Sequence, residues 1–195
     1  MRLIVGISGA SGAIYGIRAL QLLRKLGVET HLVITDAALE TIRLETDFKK
    51  ADVVRLATAI HRVDDISSEI ASGSFQADGM LVIPCSMKTL AGIASGYSDN
   101  LLLRAADVTI KERRRLVLVV RETPLSLIHI ENMATVTRAG AVVLPAMPAF
   151  YQRPKTVAAL VDQVVGRALD LLGVEHQLSR RWGGPDLKKG SRRPS

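Results

Sequence analysis

Short apolar runs recur along the chain and are separated by amphipathic segments. Five runs predict strands, at residues 3–8, 30–35, 79–85, 115–122 and 141–147. Apolar spacings of three and four predict helices at 13–26, 36–44, from 86 onward, 126–139 and 155–173. Residues 45–78 are more polar. There we predict a helix over 51–60 and a loop over the sequence SSEIASGSF (67–75).

The predicted strands are rich in Val, Ile and Leu and show no polar alternation. Strands of this kind are buried on both faces, as in a parallel sheet covered by helices. Because strands and helices alternate along the chain, we predict an α/β fold. The expected architecture is an open, doubly wound, mostly parallel sheet in three α/β/α layers.

Composition and charge narrow the class of protein. A chain of 195 residues that is 48% hydrophobic is expected to form one globular domain, over residues 1–179. Of the net charge of +7, +5 lies in residues 180–195, a Gly/Pro-rich tail that we expect to be solvated and mobile beyond 184. No apolar run approaches the roughly 20 residues of a membrane span, and the single cysteine, Cys85, suits the cytoplasm. We expect neither a nucleic-acid partner nor a membrane span.

Chemistry-bearing residues follow the predicted strands. In a doubly wound sheet the ligand lies beyond the carboxyl ends of the strands. Glycines, hydroxyls and charged side chains collect at those ends, at residues 9–12, 35–36, 84–89, 121–123 and 145–151. The sequence therefore predicts a ligand site along one edge of the sheet.

The first strand ends in the turn Gly6-x-x-Gly9-x-x-Gly12. It lacks the Gly-Lys-Ser/Thr ending of a P-loop, but its glycines allow close approach of an anion to a helix start. Ser11 either donates a hydroxyl to a phosphate or only caps the helix. Asp36 either holds a ribose hydroxyl or is a helix N-cap, so an NAD(P)-binding reductase also fits this turn.

Two further strand ends resemble the first in chemistry. Ser86 and Thr89 place hydroxyls at a helix start, where they bind a ligand or cap the helix. Arg121 ends an apolar strand and can donate two hydrogen bonds to a phosphate. Glu122 is either the salt-bridge partner of Arg121 or an acid/base group.

Other familiar patterns are excluded. Tyr151 and Lys155 have the spacing of a short-chain dehydrogenase pair, but Pro154 disfavours a shared helical face. The four histidines are scattered without ligand spacing, so no metal site is expected.

Long stretches of the sequence resemble the UbiX-type flavin prenyltransferase family, formerly grouped with phenylacrylic acid decarboxylases. The resemblance covers residues 2–184. The segments that carry it are GISGASGAIYG, LETD, PCSMKTLAGIASGYSDNLLLRAADVTIKERR, VRETPLS, GAVVLPAMPAFYQRP and RWG.

The resemblance implies a flavodoxin-like Rossmann fold that binds FMN, in a dodecamer built from trimers with sites shared between subunits. It implies transfer of the dimethylallyl group of dimethylallyl phosphate to N5 and C6 of reduced FMN, without a metal. The product, prenylated FMN, is the cofactor of UbiD-type decarboxylases in ubiquinone biosynthesis or aromatic acid decarboxylation.

The resemblance also implies roles for individual residues. Those expected to bind FMN are Gly9, Ala10, Ser11, Thr35, Ser86, Met87, Lys88, Thr89 and Arg121. Those expected around the prenyl phosphate are Arg104, Lys111, Arg121, Glu122, Tyr151, Arg167 and Trp182. Those expected to be catalytic are Ser11, Glu45, Lys111 and Glu122. Trp182 could equally pack the C-terminal end of the chain.

The chain departs from the family pattern at a few positions. Thr35-Asp36 replaces the commoner Ser-Lys, which removes a positive charge near the flavin, and Arg115 stands where proline is usual. Two alternatives remain beside the NAD(P)-binding reductase. One is a flavin-dependent decarboxylase of the cysteine-decarboxylase type, but its histidine after the first helix is absent. The other is a carrier that delivers FMN to a partner decarboxylase.

Overall fold

Six parallel strands and seven α-helices make up the part of the chain that the computed structural model describes, residues 1–151 and 153–178. The strands are β1 (Arg2–Ile7), β2 (Glu29–Ile34), β3 (Ala59–His61), β4 (Gly79–Cys85), β5 (Arg115–Val120) and β6 (Val142–Val143). The helices are α1 (Ala13–Lys25), α2 (Asp36–Glu45), α3 (Lys50–Val54), α4 (Met87–Ser95), α5 (Leu101–Lys111), α6 (Leu127–Arg138) and α7 (Val157–Leu172). A short 3-10 turn, Glu69–Ala71, precedes β4.

The strand order is β3-β2-β1-β4-β5-β6, and every pairing is parallel. The chain builds β1 to β3 outward in one direction and then crosses back to place β4 beside β1. The order reverses between these two strands, which is where ligands bind in doubly wound sheets. The predicted architecture is confirmed, with a described sheet that is wholly rather than mostly parallel.

Helices cover both faces of the sheet and create two hydrophobic cores. Leu3, Val5 and Ile7 of β1 pack in the core that includes α1 and α7. Ile4, between them, packs in the opposite core with α4 and α5. Successive side chains of a strand point to opposite faces, so a strand with two covered faces needs apolar residues at consecutive positions.

Four elements differ from the sequence prediction: α3, β3, α5 and β6. The helix predicted over 51–60 ends early, because α3 stops at Val54 and the chain then forms the edge strand β3. A three-residue strand is too short to show a hydrophobic period. The sequence analysis assigns no element to 101–111, where the structure has α5, and β6 is shorter than the predicted run 141–147.

The expected boundary at 179, the tail over 180–195 and Trp182 lie outside the described residues. Within the described part of the chain, no helix has the length and apolar character needed to cross a bilayer.

Candidate active site

The buried hydroxyl of Ser8 joins the ends of β1 and β4. Its Oγ donates to the carbonyl oxygen of Pro84 at 3.0 Å and accepts from the amide of Ser86 at 2.8 Å, and the residue is 1% exposed. This pair of bonds positions the start of α4 against the turn after β1. The sequence analysis missed Ser8 as a site residue, although a hydroxyl ending an otherwise apolar run is a usable signal.

The N-terminus of α1 is capped by a side chain from another helix. Gly12 is the N-cap residue, with a left-handed backbone (φ 101°), and no side chain of its own can cap the helix. Glu45, the last residue of α2, accepts from the amides of Gly12 and Ala13 at 2.8 and 3.0 Å through Oε2. A carboxylate here satisfies two unpaired amides and complements the helix dipole. The alternative that Ser11 caps α1 is therefore wrong.

Ser11, Glu45 and Arg121 interact around this helix start. Partial burial acts to raise the pKa of the Glu45 carboxyl. Hydrogen bonds from Ser11 and from the amides of Gly12 and Ala13, with the charge of Arg121, outweigh it and hold the pKa below its ordinary value. The carboxyl is therefore an anion at neutral pH, with a hydrogen bond from the Ser11 hydroxyl and a favourable interaction with the charge of Arg121 at the carboxyl edge of β1.

Tyr15, one turn into α1, belongs to the same region and was not singled out from the sequence. Burial raises the pKa of its phenol, while the nearby charge of Arg121 acts in the opposite direction. The side chain of Arg121 therefore influences both an acid and a phenol at this edge.

The turn after β1 lies tightly against α2. A Cβ atom on Gly9 would lie 2.4 Å from the Cβ of Ala37, which is a steric clash, so only glycine fits at this position. Thr35 is the N-cap of α2, and its Oγ1 accepts from the amide of Ala38 at 3.2 Å. Asp36 is the first residue of the helix, so the interpretation of Asp36 as the N-cap is wrong.

Ser86 caps α4 at the same edge. Its Oγ accepts from the amide of Thr89 at 3.2 Å and donates to Oγ1 of Thr89 at 3.1 Å. The side chains of Met87 and Thr89 are buried in the core, whereas Lys88 is exposed. The first amides of a helix lack intrahelical partners and favour anions.

Glu122 lies next to Arg121 but forms no ion pair with it among the described residues. Its Oε1 accepts from the amide of Thr123 at 2.9 Å, and both Arg121 and Glu122 are exposed. The salt-bridge alternative is thus wrong for the single chain, and the acid/base alternative for Glu122 stays a prediction.

Several residues implied by the resemblance lie elsewhere in the chain. Lys111 ends α5, four residues before β5 begins, and therefore lies toward the amino edge of the sheet, where its Nζ contacts Glu112. Arg104, one turn into α5, donates to the carbonyl oxygen of Ala71 at 3.2 Å. Arg167 is exposed on α7, and Tyr151 is exposed in the segment before that helix.

Two of the four histidines, although far apart in the sequence, meet in the structure. His31 on β2 and His61 on β3 have ring nitrogens 2.9 Å apart. Burial and the charge of His31 together lower the pKa of His61. Thirty residues separate the two in sequence, so only the pairing of β2 with β3 brings them together.

Known proteins match this chain along nearly its whole length. Residues 1–169 match the family model described as Flavoprotein. The flavin prenyltransferase UbiX of Thauera aromatica is 52% identical over 189 residues, which cover 97% of each chain. A structure of AnUbiX (PadA1) in complex with FMN and dimethylallyl pyrophosphate is 54% identical, with a TM-score of 0.93 over 94% of this chain and 97% of that chain.

Two further structures show how far the similarity in sequence and fold extends. A dodecameric FMN-dependent UbiX-like decarboxylase from Escherichia coli O157:H7 is 55% identical, with a TM-score of 0.92 over 94% of this chain and 100% of that chain. The FMN-dependent cysteine decarboxylase TvaF is only 17% identical, with a TM-score of 0.62 over 89% of this chain and 98% of that chain, so it shares the fold alone. The chain therefore belongs to the flavoprotein family and, within it, to the UbiX-type flavin prenyltransferases.

Proposed function

We propose that this protein transfers the dimethylallyl group of dimethylallyl phosphate to N5 and C6 of reduced FMN. The observation that carries the proposal is the convergence of Ser11, Glu45 and Arg121 at the strand-order reversal, in a chain more than half identical to curated flavin prenyltransferases. The departing group is a phosphate, so the chain must supply positive charge and hydrogen-bond donors where negative charge develops.

The carboxyl edge of the sheet has the donor set that FMN needs. The amides of Met87 and Lys88 at the start of α4 suit a phosphate, and the hydroxyls of Thr35 and Ser86 suit a phosphate or the ribityl chain. Arg121 adds a guanidinium, which can bind a phosphate through two parallel hydrogen bonds. The bound flavin supplies the nucleophile, and these residues orient it.

The two carboxyls at this edge have different proposed roles. Glu45 is held as an anion by its contacts with Ser11, Gly12 and Ala13, so its role is to position Ser11 and to complement Arg121. Glu122 accepts a hydrogen bond from the amide of Thr123, and its proposed role is to donate a proton to the departing phosphate.

A second copy of the chain would complete the site. Lys111 lies toward the opposite edge of the sheet from Arg121, so the role proposed for Lys111 requires an assembly in which this lysine reaches the carboxyl edge of a neighbouring subunit. Arg104, Tyr151 and Arg167 are proposed to bind the prenyl phosphate at the same edge. Five large apolar side chains are 67–76% exposed, as expected of surfaces that are covered in a homo-oligomer. They lie at the start of α6, before α7 and at the start of α7: Leu127, Ile128, Met147, Phe150 and Val157. We propose a dodecamer that works in the cytoplasm.

Product analysis tests the reaction directly. Under anaerobic conditions, protein, reduced FMN and dimethylallyl phosphate should yield a flavin heavier by one C5H8 unit in mass spectrometry. Recovery of unmodified FMN alone would refute the proposal.

Single-residue variants test the assigned roles. Lys111→Ala and Glu122→Gln should each lower the rate by roughly 100-fold or more, as expected when a charged donor or a general acid is lost. Lys25→Ala is a matched control, because Lys25 is also an exposed lysine that ends its helix, and its rate should stay within about twofold.

Mixed assemblies test whether the site is shared. Chains carrying Ser11→Ala and chains carrying Lys111→Ala should each be inactive alone, and co-expressed mixed oligomers should recover part of the activity. Mixed oligomers as inactive as the pure ones would show that each site uses its own Lys111.

We propose that a UbiD-type decarboxylase receives the prenylated FMN. A protein that merely carries FMN would activate such a decarboxylase as well after Glu122→Gln as before it. The transferase proposal expects that activation to fall in parallel with product formation.

A further inference from the structure

A cluster of metal-ligating side chains lies away from the proposed active site, on β2, β3 and the 3-10 turn. Nδ1 of His31 is 2.9 Å from Nε2 of His61 and 3.6 Å from Oε1 of Glu69. All three ligand atoms lie within 4.8 Å of one another. Tetrahedral zinc with bonds of about 2.0–2.1 Å holds its ligand atoms about 3.3 Å apart, so small side-chain rotations would bring these three atoms to that spacing.

The remaining ring nitrogens of both histidines already have partners. Nε2 of His31 lies 3.0 Å from Oε1 of Glu29, and Nδ1 of His61 lies 2.7 Å from Oγ of Ser68. Metal-binding histidines typically use their second nitrogen in this way, which fixes the tautomer and the orientation of the ring. His31 is also held by an edge contact with the ring of Phe75, whose centroid is 4.8 Å away.

Burial and charge favour a cation at this cluster. His31 is 5% exposed, whereas the carboxylate of Glu69 is largely exposed and can adjust to an ion. Glu29 and Glu69 contribute two negative charges. Of the neighbouring arginines, Arg2 is already paired with Glu29 at 2.8 Å and Arg62 with Asp64 at 2.7 Å. His31 is thus a rigid ligand, and Glu69 is an adaptable one.

We propose that His31, His61 and Glu69 bind a divalent transition-metal ion, with Zn²⁺ as the best fit. Two imidazoles and one carboxylate form a known zinc donor set, which leaves a fourth position for water. The ion would tie the edge strand β3 and the 3-10 turn to β2.

The proposed ion has a structural role that is separate from the transfer reaction. His31 pairs in register with Ile4, four residues and about 13 Å along the strand from Ser8. The ion would nevertheless steady the turn whose last residue, Ala71, accepts the hydrogen bond from Arg104.

Metal titration of the assembled protein tests the proposal. After treatment with a chelator, the protein should bind one Zn²⁺ per chain in calorimetry and should melt at a higher temperature with Zn²⁺ present. Co²⁺ should give the intense visible absorption of a four-coordinate site. The proposal would be overturned if the protein bound no Zn²⁺ in calorimetry, or if Co²⁺ gave the weak absorption of a six-coordinate site.

Variants locate the site. Glu69→Gln changes an exposed side chain and should weaken Zn²⁺ binding at least tenfold without altering the fold, and His61→Gln should abolish it. Glu29→Gln, which removes the negative charge beside His31, should weaken binding by about 10- to 100-fold. His129→Gln is the matched control and should bind as the unmodified protein does. If the variants at Glu69 and His61 bound Zn²⁺ as tightly as the His129 variant does, the ion would bind elsewhere and the assignment would be refuted.

Discussion

Replacing Ser8 with alanine should destabilise the junction between β1 and β4. The change removes the donor to the carbonyl of Pro84 and the acceptor for the amide of Ser86, while adding no new contact. A polar group left unsatisfied in a buried position costs about 1–3 kcal/mol. Because Ser86 is only partly buried, water can partly satisfy its amide, and we expect a total loss of about 2–4 kcal/mol.

Calorimetry at a fixed protein concentration measures this loss. For a chain of this length, 1 kcal/mol corresponds to about 2–4 °C, so Tm should fall by about 4–16 °C. Concentration must be held constant, because assembly raises the apparent Tm. Ser95→Ala is the matched control, since its exposed hydroxyl donates only to the carbonyl of Gly92 at the end of α4, and Tm should change by less than about 2 °C.

The same variant should also bind FMN more weakly, because Ser8 positions the first turn of α4 against the turn after β1. If the Ser8→Ala protein had the same Tm as the Ser95→Ala control, the claim that this hydroxyl joins the two strands would be refuted. Loss of stability with unchanged FMN affinity would refute the link between the junction and the ligand site.

Three other perturbations test separate features of the structure. Gly9→Ala places a Cβ 2.4 Å from the Cβ of Ala37, so α2 must shift, and FMN affinity in a fluorescence titration should fall at least tenfold. Gly27→Ala is the control: its positive φ of 69° strains the turn after α1, but no atom lies within 4 Å of its Cβ, so FMN affinity should stay unchanged. The pKa of Glu45 is lowered in the folded protein, so its charge stabilises the fold above its ordinary value of 4.5, and the Tm difference between the unmodified protein and Glu45→Gln should close as pH falls below that value. A difference independent of pH would contradict this assignment. Burial raises the pKa of the Cys85 thiol to about 12, so a thiol reagent at pH 8 should label it only after unfolding in urea; rapid labelling of the native protein would contradict its burial.

The accuracy of the sequence predictions follows the strength of the local signal. The strand predicted at 79–85 matches β4, and the helix predicted over 126–139 matches α6 to within one residue at each end. Both are long enough for a hydrophobic pattern to repeat. The edge strand β3 has three residues, and its middle residue, Ile60, is exposed, so no periodic pattern could identify it.

The sequence predicts the parts of the candidate site that lie at strand ends. It does not predict the parts that depend on contacts between distant segments of the chain. The edge carrying Ser11, Ser86 and Arg121 follows from parallel strands ending at one side of a sheet. The cap that Glu45 provides for α1 joins residues more than thirty positions apart, and residue spacing gives no sign of it. The roles implied for Lys111 and Arg167 stay predictions.

The sequence by itself determined the α/β class, the position of the ligand edge and the family, because local hydrophobic periods and contiguous motifs carry that information. Only the tertiary structure decided that Glu45 caps α1, that Ser8 joins β1 to β4, and that His31 meets His61. These contacts depend on strand order and register, which are set by how all the helices and strands pack together, and no short segment of the chain encodes them.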